Sequence, residues 1–201
     1  MKKIKKILIG THNQGKFKEI SHLLSRKVKK ISPIEIKIKS PKETGNTFVA
    51  NSILKAKHFC KHSNLTSLSD DSGLEVDCLN GKPGVYSARW AKKYGSFNNA
   101  MKQIINLVDK KNKNEKIQNR KATFVCSLSI KFPEGKIVST VGKIQGHIST
   151  KILGKNGFGY DSIFIPVNKK ITFGQMTKKK KFLIDHRQLA FKKLKKRIKT
   201  L

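Results

Sequence analysis

Acidic residues are scarce in this chain: 12 Asp and Glu stand against 45 Lys and Arg, giving a formal net charge of +33 over 201 residues. In such a background a carboxylate is the exception, and a pair of them marks a candidate site. Cysteine is also rare. Cys60, Cys78 and Cys126 are odd in number and lack metal-site spacing, which excludes a disulfide framework and fits a reducing cytoplasm. No apolar run approaches the length that spans a bilayer, and behind the Lys-rich start stands only Ile7-Leu8-Ile9, too short for a signal-peptide core, so no membrane partner is expected. Arginine is the last shortage: Arg26, Arg89, Arg120, Arg187 and Arg197 are the only five among the 45 basic residues. Base-reading proteins lean on Arg. A flood of Lys with many Ile and Asn reads instead as an A/T-biased genome filling neutral surface positions, so nucleic-acid binding is not expected despite the charge. The rival account is a grip of Lys192-Lys193-Leu194-Lys195-Lys196-Arg197 on phosphate backbones, whose signature would be affinity falling steeply with salt.

The length fits a single domain, 1–201, with enough apolar content for a core, and neither linker nor repeat interrupts it. Lys110 to Asn119 reads as a polar connection inside that domain. Helical periodicity appears over Phe48 to His58, Phe97 to Val108 and His186 to Ile198. Ala122 to Ile130 and Lys136 to Ile144 read as a hairpin about Pro133-Glu134-Gly135. The class predicted is α/β with an antiparallel element in the sheet.

Three segments carry chemistry. Leu65 to Leu68 reads as a short strand delivering Asp70 and Asp71 to a loop before Gly73, where paired carboxylates suit a hard divalent cation such as Mg²⁺; the same residues also suit a plain turn. At the amino end, the strand Ile7-Leu8-Ile9 leads through Gly10-Thr11-His12-Asn13-Gln14-Gly15 into a helix predicted over Lys16 to Arg26. The first turn of a helix offers N–H groups to an anion, and Lys16 adds a mobile charge, although the loop falls short of a Walker motif and an ordinary strand-to-helix turn explains it as well. Near the carboxyl end, Gly157-Phe158-Gly159-Tyr160-Asp161 presents an aromatic between glycines, suited to stacking on a base or to filling a core. His186 and Arg187 supply donors at a helix start that Asp185 is placed to cap.

Thr11-x-Asn13-x-x-Lys16, Glu43-Thr44-Gly45, Asp70-Asp71-Ser72-Gly73-Leu74, Pro83-Gly84-Val85-Tyr86-Ser87-Ala88-Arg89, Phe158-Gly159-Tyr160-Asp161 and His186-Arg187 occur in the order and spacing of the inosine triphosphatase (Ham1-like) family, and the chain resembles it along essentially its whole length. The resemblance implies a Ham1/Maf-type α/β fold, two lobes on a long mixed sheet with a substrate cleft between them, and a homodimer. It implies Mg²⁺-dependent hydrolysis of ITP, dITP and XTP to the monophosphate and pyrophosphate. Thr11, His12, Asn13, Gln14, Gly15, Lys16 and Lys55 would meet the phosphates, Glu43 and Asp71 the metal, and Asp71 would be the general base. Ser72 would bind substrate, and Phe158, Gly159, Tyr160, Asp161, Lys181, His186 and Arg187 would form the base and sugar end. A Maf-type pyrophosphatase with another base preference is the related alternative.

The sequence departs from the family pattern at His12, Ala50, Ser162, Gln175, Lys179, Lys180 and Asp185. Asp185 replaces the usual Ser before His-Arg and puts a carboxylate near a base edge that mostly accepts. These changes bear on substrate range more than on the reaction.

Overall fold

A computed structural model describes residues 4–116 and 118–198 of the chain. Among the described residues the α-helices and β-strands are β1 (Lys6–Ile9), α1 (Gln14–Leu23), β2 (Lys29–Ile31), α2 (Phe48–Ser63), β3 (Ser67–Val76), α3 (Ser87–Lys93), α4 (Phe97–Asn112), β4 (Lys121–Lys131), β5 (Ile137–Ile148), β6 (Phe164–Pro166), α5 (Lys178–Phe182) and α6 (His186–Arg197). The six strands lie in the order β2-β1-β3-β4-β5-β6. β1 runs parallel to β2 and to β3, with Leu8 opposite Ser67 and Ile9 opposite Leu68, whereas β5 and β6 are antiparallel. The protein is therefore α/β with a mixed sheet.

The chain divides into two compact units. The first comprises 1–71, 126–142 and 186–201, the second 72–125 and 143–185. In the first unit Ile7, Leu8 and Ile9 are fully buried, as expected for a strand with parallel neighbours on both sides. Ile7 and Ile9 join Ile20, Leu24, Leu68, Cys126, Leu128, Ile130, Ala190, Phe191 and Leu194 in one apolar cluster. α6 lies directly on β5. A Cβ at Gly142 would stand 2.1 Å from the His186 carbonyl oxygen and 2.3 Å from the Ala190 nitrogen, so only glycine lets the first turn of α6 approach this closely.

In the second unit, Ala100, Ile104 and Val108 form the buried stripe of α4 at fourfold spacing and pack with Leu74, Val76, Phe124, Ile148, Phe164 and Phe173. The rings of Phe124 and Phe164 have centroids 4.6 Å apart.

Several boundaries differ from those predicted. α1 begins at Gln14, not Lys16, because Asn13 caps it, its side chain accepting the Lys16 N–H at 3.0 Å. α2 runs on to Ser63, capped by Thr47 at its start and ended by Asn64 in the left-handed region, φ 53°. The loop expected at Asp70 and Asp71 is strand: β3 continues through both to Val76. Two buried aspartates are tolerated inside a strand because each has a cationic partner, described below. α4 reaches Asn112 and shortens the connection expected over Lys110 to Asn119, of which Ile117 lies outside the described residues. Among the described residues no helix is long and apolar enough to cross a membrane.

Candidate active site

Four of the 12 acidic residues, Asp70, Asp71, Asp161 and Asp185, are buried. Each buried carboxylate needs compensation, and following the compensation reveals the site.

In the first unit, α1 and β3 bring together Lys16 and Asp70, with Nζ 3.1 Å from Oδ2. The same oxygen accepts from Nη2 of Arg187 at 3.3 Å, and the other terminal nitrogen of Arg187 donates to Glu19 on α1. Burial alone would raise the Asp70 pKa, but Lys16, Arg187 and Lys55 outweigh it and hold the carboxyl well below the usual range. Asp70 is thus a permanent anion that orients two cations. Around it, Thr11 is buried, and its hydroxyl accepts the Asn13 N–H at 3.2 Å. Gln14 and Gly15 form the first turn of α1, where backbone N–H groups have no acceptor within the helix. His12 is exposed, with Nδ1 2.6 Å from the Ser40 hydroxyl.

Asp71, one residue on, points to different partners. Its Oδ2 accepts from the Asn51 side-chain amide at 3.0 Å, and its Oδ1 lies 3.8 Å from Lys55 Nζ. Lys55 Nζ is also 2.6 Å from Glu43 Oε1. Asn51 and Lys55 stand one helical turn apart on the same face of α2. The Asn51 carbonyl oxygen accepts the Gly45 N–H at 2.8 Å, which ties the segment carrying Glu43 to the helix. A Cβ at Gly45 would come within 2.7 Å of that oxygen. Burial pushes the Asp71 pKa above the ordinary carboxylate value; Lys55 and Lys16 oppose the shift, Glu43 reinforces it and the Asn51 hydrogen bond opposes it. For Lys55, burial lowers proton affinity, but Asp70, Asp71 and Glu43 more than offset it, and the net shift is upward.

Could these residues hold a divalent ion? Among the described residues no set of three His, Cys, Asp or Glu side chains is arranged to do so. However, Mg²⁺ is ordinarily held by one or two carboxylates, with water and substrate phosphates completing the shell. Glu43 and Asp71 supply two carboxylates that already converge on a single positive charge, so the donor set fits a hard cation arriving with phosphate.

In the second unit, Phe158 is half-buried rather than the exposed ring expected, because the Lys181 ammonium lies 5.1 Å from its centroid and 5.6 Å from that of Phe173. Asp161 fixes this arrangement. Its Oδ2 accepts from Lys181 Nζ at 2.7 Å and from the Phe158 N–H at 2.9 Å. Tyr160 is buried beside Phe97 and donates its hydroxyl to the Ser87 carbonyl at 2.8 Å; burial raises its pKa and keeps that hydroxyl a donor. Gly159 follows Phe158 at φ 66°. Ser72 is a half-buried residue of β3.

His186 and Arg187 open α6 and are both buried, Arg187 being only 1% exposed. The guanidinium expected at a base edge is engaged with Asp70 and Glu19.

Sequence reasoning missed two residues of this constellation. Asn51 follows a position singled out for its departure from the family pattern, and its one available signal was its i,i+4 spacing from Lys55. Glu19 lies one turn beyond Lys16 and carried no signal apart from the scarcity of acids.

The chain matches the model of the Ham1 family over residues 7–197. It is 39% identical over 190 residues to a dITP/XTP pyrophosphatase of Caulobacter vibrioides, covering 94% of this chain and 96% of the relative. It is 38% identical over 203 residues to a dITP/XTP pyrophosphatase of Bacillus cereus, covering 98% and 97%. Among solved structures, a HAM1 protein from Coxiella burnetii superposes with a TM-score of 0.86 at 30% identity, covering 98% of this chain and all of that one. The Ham1 protein of Staphylococcus aureus gives 0.83 at 36%, covering 97% and 98%.

Proposed function

The chain belongs to the Ham1 family, and on that premise we propose that it hydrolyses deaminated purine nucleoside triphosphates, dITP, ITP and XTP, to the monophosphate and pyrophosphate. The observation that carries the reading is the convergence of Glu43, Lys55 and Asp71, with Asp71 held above its ordinary pKa. A carboxylate whose proton affinity is raised in this way is suited to accept a proton from water.

In this mechanism Asp71 takes the proton of a water attacking the α-phosphorus in line, and pyrophosphate departs. Asn51 holds one Asp71 oxygen and so fixes the carboxylate that receives the proton of the water. Lys16, oriented by Asp70, and the first turn of α1 bind phosphate oxygens and stabilise the charge that builds on the leaving group. Lys55 contributes a further positive charge. Mg²⁺, held by Glu43 and Asp71, would supply Lewis-acid polarisation of the phosphates when bound. Phe158 offers a ring face to the base, and His186, beside the Arg187 guanidinium that Asp70 and Glu19 hold, offers an N–H donor to a 6-oxo group, which adenine lacks. A site built of donors rejects an amino group because its own groups are then left unpaired.

The homodimer and the cytoplasmic setting are part of the same proposal. Three free thiols, Cys60, Cys78 and Cys126, are compatible with a reducing compartment, and sedimentation would test the dimer. The deciding experiment is pyrophosphate release from ITP, XTP, dITP, GTP and ATP measured side by side, with Mg²⁺ and with chelator. Preference for the first three, lost with chelator, is expected. Equal turnover of ATP would overturn the base assignment, and a Maf-type preference would appear as turnover of other nucleotides instead.

A further inference from the structure

We propose that the Lys55 ammonium is the resident counter-ion of the Glu43 and Asp71 carboxylates, holding the place of a divalent cation until a substrate polyphosphate draws it away. The inference rests on the reading of Glu43 and Asp71 as metal ligands. Lys55 Nζ stands 2.6 Å from Glu43 Oε1 and 3.8 Å from Asp71 Oδ1, and its side chain is 8% exposed. The remaining oxygen of Asp71 accepts from Asn51, so an incoming ion and the ammonium compete for the same Asp71 oxygen. Two cations held by the same two carboxylates repel each other, and the burial of Asp71 and Lys55, with Glu43 30% exposed, limits the water that screens them. The short contact with Glu43 and the approach to Asp71 hold the ammonium in place while those partners are available.

What can move it is a better partner. Lysine carries a point charge on a flexible stem, and a polyphosphate offers oxygens that bind an ammonium as well as a carboxylate does. As Lys55 transfers to phosphate, the carboxylates are released to the ion. Ion and nucleotide therefore assist each other's binding, and by linkage the assistance is reciprocal. The nucleotide-free protein holds the ion weakly and takes it up together with the phosphates. If Lys55 were a phosphate ligand alone, its removal would weaken nucleotide binding and leave ion binding to the free protein unchanged.

The test is Mn²⁺ binding to nucleotide-free protein, read by the electron paramagnetic resonance of the unbound ion at about pH 8, where ordinary carboxylates are ionised. Lys55→Met and Lys55→Gln should bind Mn²⁺ at least about tenfold more tightly than the wild type, Lys55→Arg should not, and Glu43→Gln should abolish binding. Unchanged or weaker affinity in Lys55→Met and Lys55→Gln, with binding still lost in Glu43→Gln, overturns the counter-ion role while the metal-ligand reading stands. Binding indifferent to both Glu43→Gln and Asp71→Asn defeats the metal-ligand reading, and the inference falls with it. On wild-type protein the ¹⁵N resonance of the Lys55 ammonium should shift as Mg²⁺ saturates the site. Absence of that shift overturns the role without recourse to any variant.

Discussion

Asp70 and Asp71 are adjacent on β3 and electrostatic opposites. Alternation along the strand sends their carboxylates to different partners, Asp70 to Lys16 and Arg187, Asp71 to Asn51 and Lys55. Both are buried, yet the first carboxyl is held well below its ordinary pKa by its cationic partners and the second is raised by burial. Environments that push two carboxyl groups apart in this way suit them to different roles, and the proposed mechanism uses the first as a fixed anion and the second as a base.

Replacing Asp71 with Asn should separate stability from activity. A folded-state pKa above the unfolded value means that the ionised carboxylate costs stability, a cost absent at low pH that grows as pH rises past the unfolded value, about 3.9. The isosteric amide removes this cost. Turnover should fall by about 10²–10⁴-fold, while urea unfolding at neutral pH shows a midpoint equal to or above that of the wild type. Retained turnover, or a clear loss of stability, would contradict the assignment.

Asp70→Asn should behave in the reverse way. Breaking a buried pair takes the Asp70 carboxylate from Lys16 and from Arg187, which keeps Glu19, at a cost of about 3–5 kcal/mol. The folded pKa is depressed, so the stabilisation is complete above the unfolded pKa of about 3.9 and is lost as pH falls from there through the depressed folded value. Denaturant unfolding of wild type and variant should therefore differ most near neutrality and converge under acid. A difference independent of pH would show that packing rather than charge was removed.

The contrast also shows where sequence reading reached and where it stopped. The helices α2, α4 and α6 were legible because their apolar residues recur at helical spacing, and the hairpin because Pro133-Glu134-Gly135 separates two apolar runs. β3 was read short. Ser69-Asp70-Asp71-Ser72-Gly73 has turn composition, and only partners distant in the chain, Lys16 and Arg187 for Asp70 and Asn51 and Lys55 for Asp71, allow it to be strand. β2 and β6, with three residues each, are too short to carry a period. Glu43, Lys55 and Asp71 were each identifiable as chemically able. That Asn51 ties them together depends on α2 lying against β3 and on the Gly45 N–H finding its acceptor, a tertiary relation with no local signature. Arg187, expected at a base edge, is paired with Asp70 and Glu19 for the same kind of reason.

Asn51 offers a test of positioning. Its amide donates to Asp71 and its carbonyl oxygen accepts from Gly45. Asn51→Ala removes one hydrogen bond from each partner, at a cost of about 1–3 kcal/mol for buried polar groups. If Asn51 orients the base, kcat should drop while KM for dITP changes little, and the acid limb of the pH–rate profile should move upward as Asp71 loses a hydrogen bond to its ionised form. Parallel changes in kcat and KM with an unmoved profile would mean that Asn51 serves the fold alone.

The second unit yields a prediction of the opposite kinetic kind. Phe158 has the Lys181 ammonium against its ring, and Asp161 holds both the ammonium and the Phe158 N–H. A ring fixed in this way is preorganised for a planar base, with little ordering left for substrate to impose. Phe158→Ala should forfeit about 1–3 kcal/mol of stacking, read as a rise of roughly five- to 150-fold in KM for dITP and XTP alike, because every purine presents a π-face. The Asp71 chemistry is untouched, so kcat at saturation should stay within a few-fold. Asp161→Asn should produce a smaller rise by loosening Lys181, and Lys181→Met should match it if the ammonium acts through the ring. A fall in kcat for Phe158→Ala with KM unchanged would place the ring away from the ground-state base and remove it from the substrate site.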